Sequence, residues 1–182
     1  TKILSILLQR KQNLISKKRN QKKKGLKMNR IGLDKEKATE LSLLLNDLLA
    51  NYQVFYSNVR GFHWNVKGEK FFELHIKFEE LYNDLILKID ELAERILTLS
   101  SEPEYRFSKY LEIAEIKEAS QTQNGMKDME EIVDGLGILI KKQRSILLLS
   151  GEADDEGTSS LMSDYIREQE KLVWMYSAFL GR

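Results

Sequence analysis

A single proline, Pro103, interrupts a chain of 182 residues rich in Leu, Lys and Glu. Proline fixes φ and removes a backbone donor, so its scarcity leaves long unbroken helices as the natural fold. The length is enough for one domain with a packed core. Apolar spacing agrees. Leu41, Leu44, Leu45, Leu48 and Leu49 recur at helical intervals, and Tyr52, Phe55, Tyr56 and Val59 continue the stripe. With Asp34 as N-cap and Glu36 in the first turn, a helix is predicted over about 35–66, ended by Gly68. A second is expected from about Lys70 to Ser100, stopped by Glu102-Pro103. A connector follows over 101–123, with a short helix at Tyr110–Ile116. Asn124-Gly125 introduces a third long helix over about 126–150, closed by Gly151, in which Gly135 and Gly137 mark close helix packing. The polar turn GEADDEG leads to a fourth over about 157–180, carrying Leu161, Tyr165, Leu172, Trp174, Met175 and Phe179. The expected fold is all-α: a four-helix bundle whose one long connector crosses along its length.

No cysteine is present, which excludes disulfides, cysteine-ligated zinc and thiol catalysis. No apolar run approaches the roughly 20 residues that span a bilayer. The formal net charge of +1 conceals a division. Residues 1–27, TKILSILLQRKQNLISKKRNQKKKGLK, hold ten Lys or Arg and no acid, leaving 19 basic and 28 acidic residues from Met28 onward, a formal net of −9. The organisation read from this is a basic extension over 1–27, disordered or non-native, and a bundle domain over 28–182. Three readings of the extension stay open: a tail that contacts DNA phosphates by counterion release, a targeting segment, or sequence foreign to the natural protein. No secretory h-region or cleavage site is evident in it.

Both histidines, His63 and His75, fall in the stretch GFHWNVKGEKFFELHIKFEELYNDLILKIDELAERI at 61–96. At about 100° per residue, His75, Glu79, Asp90 and Glu94 of the second helix lie on one narrow stripe. Leu74, Phe78, Leu81, Leu85, Leu92 and Ile96 form a separate core face. Lys77, Lys88, Arg95, Glu73, Glu80, Asp84 and Glu91 read as ordinary surface charge. His75/Glu79 and Asp90/Glu94 are each i,i+4 pairs able to share a metal. Glu79 and Asp90, however, are eleven residues apart, about 16 Å along the axis, too far for one ion. Positions 75 and 94 share the midpoint 84.5 with positions 79 and 90. An antiparallel copy of this helix, related by a two-fold axis there, would bring His75 to the partner's Glu94 and Glu79 to the partner's Asp90. His63 could add a second imidazole. Two imidazoles and three carboxylates suit Fe²⁺, and carboxylates also stabilise Fe³⁺. The alternative is plain surface charge with an exposed His75.

FHWNVKG at 62–68, FFELHIKFEELY at 71–82 and KIDELAERIL at 88–97, with EKLVWMYSAFLG near the end, resemble the Dps family of ferritin-like bacterial proteins. The resemblance covers roughly 28–181, and is strongest to the Bacteroides and Flavobacterium lineage. It implies a ferritin-like four-helix bundle with a short helix in the connector, assembled from two-fold dimers into a twelve-subunit hollow shell in the bacterial cytoplasm, with nucleoid association left open. The ligands it implies are His63, His75 and Glu79 of one subunit with Asp90 and Glu94 of the other. Family members often carry Asp where this chain has Glu79. The implied activity is a ferroxidase: iron oxidised as Fe²⁺, preferably by hydrogen peroxide, stored as ferric mineral, with protection from oxidative stress. By the same analogy Trp64 would quench stray oxidising equivalents or simply pack. Arg95, next to Glu94, would make a structural ion pair, and Asp154, Asp155, Glu156 and Asp164 would line an entry pore or cap the fourth helix. The rival reading is a DNA-compacting protein acting through residues 1–27, and a third is a metal-free helical interaction module.

Overall fold

The computed structural model describes residues 27–119 and 124–182. The readings of the basic extension therefore lie, except for Lys27, outside the described residues, as does the end of the connector. Among the described residues five helices follow in order: α1 (Lys35–Asn65), α2 (Phe71–Thr98), the short α3 (Phe107–Ile113), α4 (Gly125–Glu152) and α5 (Glu156–Phe179). Asp34 caps α1 by accepting the Lys37 N–H at 3.0 Å. The helix stops at Asn65, and Gly68, at φ +100°, makes the turn into α2 that a Cβ would strain.

Antiparallel packing places α1 between α2 and α4, with α5 closing the bundle against α4 and α2. Lys37–Glu152, Asp47–Lys142 and Tyr52–Gln143 mark the opposed run of α1 and α4. Arg95–Asp155, Glu91–Tyr165 and Lys88–Glu168 do the same for α2 and α5. The expected core face of α2, from Leu74 to Ile96, is buried throughout. On α4, a Cβ at Gly135 would lie 2.5 Å from the Phe55 ring, so that glycine permits close approach, as expected. Gly137 faces open space and serves no such purpose.

Because α2 runs back along α1 and α4 starts at the far end, the connector has to cross the bundle. Three asparagines on α1 satisfy its backbone on the way. Asn46 accepts the Glu104 N–H and donates to the Glu102 carbonyl; Asn51 accepts the N–H groups of Glu115 and Ile116; Asn58 accepts from Ala119 and donates to the Lys117 carbonyl. Irregular backbone lying on a core needs such partners. They also explain why the short helix sits three residues earlier than expected. Glu104 accepts the N–H groups of Tyr105 and Arg106 at its start, and Asn51 draws the chain out of helix at Glu115.

Two other expectations change. The third long helix does not close at Gly151 but runs through Glu152, with Asp154 at φ +56° in the left-handed turn. Asp is among the few non-glycine residues that enter that region readily. Lys88 is not surface charge: it is buried, with Nζ 2.5 Å from Asp84 and 2.9 Å from Glu168. On α5, Trp174 is 67% exposed and Met175 is also exposed.

Candidate metal centre

His63 ends the buried face of α1, and His75 opens α2 across the Gly68 turn. Each imidazole is fixed by the other residue's backbone. His63 Nδ1 lies 2.8 Å from the His75 carbonyl oxygen, and His75 Nδ1 lies 3.0 Å from the His63 carbonyl oxygen. A carbonyl only accepts, so both Nδ1 atoms carry the proton, and in the neutral rings both Nε2 atoms present a lone pair. This is the tautomer a metal-ligating histidine needs, held by the outer-shell hydrogen bond that usually accompanies ligation. The two rings stack at 3.8 Å between centroids and 22° between planes. Phe71 stacks on the far side of His75 at 5.0 Å, and Tyr82 meets His63 edge-on at 5.3 Å. Burial and the neighbouring Glu79 carboxylate raise the Tyr82 phenol above its usual value.

The carboxylates of α2 divide into two sets. Glu73 pairs with Lys70 at 3.3 Å, Glu80 with Lys77 at 2.6 Å and Asp84 with Lys88 at 2.5 Å, while Glu91 accepts from the Tyr165 hydroxyl. Glu79, Asp90 and Glu94 are exposed and form no ion pair among the described residues. Apolar side chains border them: Phe72 is 78% exposed and Leu87 65%, and Ile76, Ile86 and Leu97 are also uncovered. Within one chain, no three acid or histidine side chains among the described residues converge on a common point. His63 and His75 are together; Asp90 and Glu94 lie further along α2.

Other residues singled out in the sequence have different surroundings. Arg95 makes a structural ion pair, as expected, and its partner is Asp155; Nη2 lies 2.5 Å from Asp155 Oδ1 and Nε donates to Thr158 Oγ1 at 2.8 Å. Asp155 is buried and caps α5 by accepting the Thr158 N–H at 3.0 Å, so the capping role applies to it. Those bonds, despite its burial, hold its carboxyl below the usual range. Asp164 is exposed and pairs with Arg167 at 2.9 Å. Trp64 is 65% exposed beneath the Arg60 guanidinium, 4.8 Å from its ring. Sequence reasoning missed Phe71 and Tyr82 as walls of the imidazole pair; their only signal was position, one turn before His75 and one after Phe78.

The model for the ferritin-like domain matches residues 43–182. The chain is 62% identical to a Dps protein from Vibrio cholerae, described as a member of a broad superfamily of ferritin-like diiron-carboxylate proteins. The likeness covers 84% of this chain and 96% of that one, with a TM-score of 0.83. A Dps protein from Bacillus brevis is 37% identical over 80% of this chain and 97% of its own, with a TM-score of 0.77. The DNA protection during starvation protein of Porphyromonas gingivalis is 47% identical over 81% of this chain and 93% of its own length, which fits the lineage expected from the motifs. The chain belongs to the ferritin-like proteins, and within them to the Dps family. No helix among the described residues is long and apolar enough to cross a membrane.

Proposed function

We propose that this chain is a ferroxidase and iron-storage protein whose di-iron site is completed only by a second copy. The observation that carries the reading is that Asp90 and Glu94 have no ion-pair partner among the described residues, and Glu79 has only the Tyr82 hydroxyl beside it, on a helix whose other four carboxylates are engaged. Asp90 and Glu94, one turn apart, repel one another until a cation arrives. Exposed apolar side chains beside them need cover as well. Both needs are met by an antiparallel copy of α2 about residue 84.5, which also sets Phe72 opposite Leu97.

On this reading His63 and His75 offer Nε2, Glu79 adds oxygen, and the partner copy contributes its Asp90 and Glu94, giving two equal sites per dimer. Fe²⁺ is the substrate, and oxygen-rich ligation favours its oxidised form. Two Fe²⁺ give one electron each; hydrogen peroxide takes both and, with two protons, leaves as two waters without free hydroxyl radical. The ferric product is stored as mineral in a cytoplasmic shell of twelve subunits. Anaerobic loading with Fe²⁺ followed by peroxide tests this. Fast growth of ferric absorbance in soluble protein, lost in Asp90→Ala/Glu94→Ala, supports it, and equal traces in both proteins overturn it.

DNA contact is a second reading, favoured by ten cations and no acids in residues 1–27 before an acidic body. Lys27 enters the fold at the start of α1, its carbonyl accepting the Lys35 N–H at 2.8 Å. Removal of residues 1–27 should abolish a mobility shift that weakens with salt; an unchanged shift would rule the extension out.

A further inference from the structure

The seam between α2 and α5 holds a polar group on a flank of α2 away from the ligand edge. Tyr165 of α5 is buried, and its hydroxyl donates a 2.5 Å hydrogen bond to Glu91 Oε2. Glu91 itself is exposed, so a proton delivered there can reach solvent. The Tyr165 hydroxyl also lies 3.4 Å from the Lys88 carbonyl, against the α2 backbone two residues before Asp90. The candidate ligand edge is therefore about one helix diameter away, ~10 Å, short for an electron. On the core side the fully buried Tyr52 ring lies 6.1 Å from Tyr165 between centroids, shielding it from water.

A neutral polar layer would be enough to hold helix register. A phenol aimed at a carboxylate does more, because the proton acceptor is already in place. Burial, foremost, and the Glu91 carboxylate push the Tyr165 phenol up, so it does not ionise alone near neutral pH. The Lys88 ammonium, 5.0 Å over the ring, disfavours a ring that loses an electron and keeps its proton. Electron and proton must leave together.

We propose that Tyr165 is a redox-active tyrosine, with Glu91 as its proton acceptor, that reduces one-electron oxidants arising at the metal edge of α2. Where a single Fe²⁺ meets peroxide in place of the iron pair, its one electron leaves Fe³⁺, hydroxide and a hydroxyl radical; the phenol gives one electron to that radical, which leaves as hydroxide. The phenolic O–H bond breaks and an O–H bond forms on Glu91. Fe²⁺ then returns an electron to the phenoxyl, and Glu91 returns the proton. The balance is one Fe²⁺ oxidised and one hydroxyl radical reduced to hydroxide, with the protein unchanged. The source of the oxidant rests on the iron reading above; the redox chemistry of Tyr165 does not.

Freeze-quenched electron paramagnetic resonance on the assembled, metal-free protein tests the tyrosine, with photogenerated tris(bipyridyl)ruthenium(III) as oxidant. Exposed aromatics such as Tyr105 give radicals that decay by collision. The persistent tyrosyl signal is expected at Tyr165, lost in Tyr165→Phe, and lost in Glu91→Gln, which keeps a hydrogen-bond acceptor but takes no proton. Thermal melts should show both variants folded; if Tyr165→Phe does not fold, Glu91→Gln decides. An equally persistent signal in wild type and Glu91→Gln overturns the proposal, as does the absence of any persistent signal. A second arm uses Fe²⁺ and peroxide. A Tyr165 signal from ruthenium but none from iron overturns the link to iron while upholding the tyrosine.

Discussion

On one side of α2, Glu73, Glu80 and Asp84 pair with lysines and Glu91 with a buried tyrosine; on the other, Asp90 and Glu94 have no ion-pair partner among the described residues, and Glu79 has only the Tyr82 hydroxyl. The residue types and the helix are the same, and the sequence spacing is similar. Only the surroundings differ. Paired surface carboxylates are close to energetically neutral and can be exchanged cheaply. Unpaired ones on a shared edge carry repulsion that a ligand relieves, which makes pairing a better guide to function than acidity.

The largest test sets the two sides against each other. Asp90→Ala/Glu94→Ala should slow Fe²⁺ oxidation by about 100-fold or more, since even outer-shell losses at metal sites cost about 10–100-fold. Glu73→Ala/Glu80→Ala, at equal change of charge, should leave the rate unaltered and shift stability by less than about 1 kcal/mol. Equal slowing by both pairs, followed as ferric absorbance, would reduce the distinction to net charge.

Asp128 sharpens the comparison as a third kind of carboxylate. It sits in the first turn of α4, fully buried, and neither oxygen has a hydrogen-bond partner. Burial, with a smaller contribution from Glu131, pushes its carboxyl up to about 6. Its isolation in the core raises its affinity for a proton, whereas Asp90 and Glu94 lie in solvent, open to a cation. The folded state holds this proton more tightly than the unfolded one, so stability falls as pH rises from about 4 to 6 and stays reduced above that. Asp128→Asn, which removes the titrating group, should flatten that fall between pH 4.5 and 7.5. Denaturant melts at pH 4.5 and 7.5 measure it, and iron oxidation should not change.

Much of this arrangement was legible in the sequence, and the failures have a common cause. Four long helices and the core face of α2 follow from apolar spacing, because each helix buries one stripe. A single-helix projection could not tell that Lys88 would be covered, since Glu168 approaches from α5. Nor could it show Asn46, Asn51 and Asn58 as the track of the connector; polar residues on a helix flank look solvated until something lies on them. At the site, His63 and His75 were visible as types, but their exchange of Nδ1 hydrogen bonds depends on the angle between two helices. The symmetry about 84.5 was visible because it belongs to one helix alone.

That symmetry gives a test of smaller size. A chain carrying His63→Ala/His75→Ala keeps one half of the proposed site, and a chain carrying Asp90→Ala/Glu94→Ala keeps the other. Each alone should be inactive. Co-assembled at random in equal amounts, half the dimers are mixed and each mixed dimer has one complete site, so about a quarter of wild-type activity should return. No recovery would mean that both halves act within one chain, and the contrast between the two sides of α2 would need another origin.

Glu79 should show the smallest effect. Its extra methylene, relative to the Asp that the family often carries, moves the carboxylate outward, toward the proposed partner and beside the Tyr82 phenol that its charge raises. Glu79→Asp keeps the charge and the oxygen donors and changes only reach. If the second iron is held chiefly by the partner's Asp90, shortening Glu79 should alter the oxidation rate by no more than about threefold, the weight of one imperfect ligand contact of about 0.6 kcal/mol. If Glu79 must reach across to bridge the irons, the loss should approach that of Asp90→Ala/Glu94→Ala. The size of this one ratio therefore tells whether Glu79 acts as a ligand of fixed length or as an adjustable neighbour of the imidazole pair.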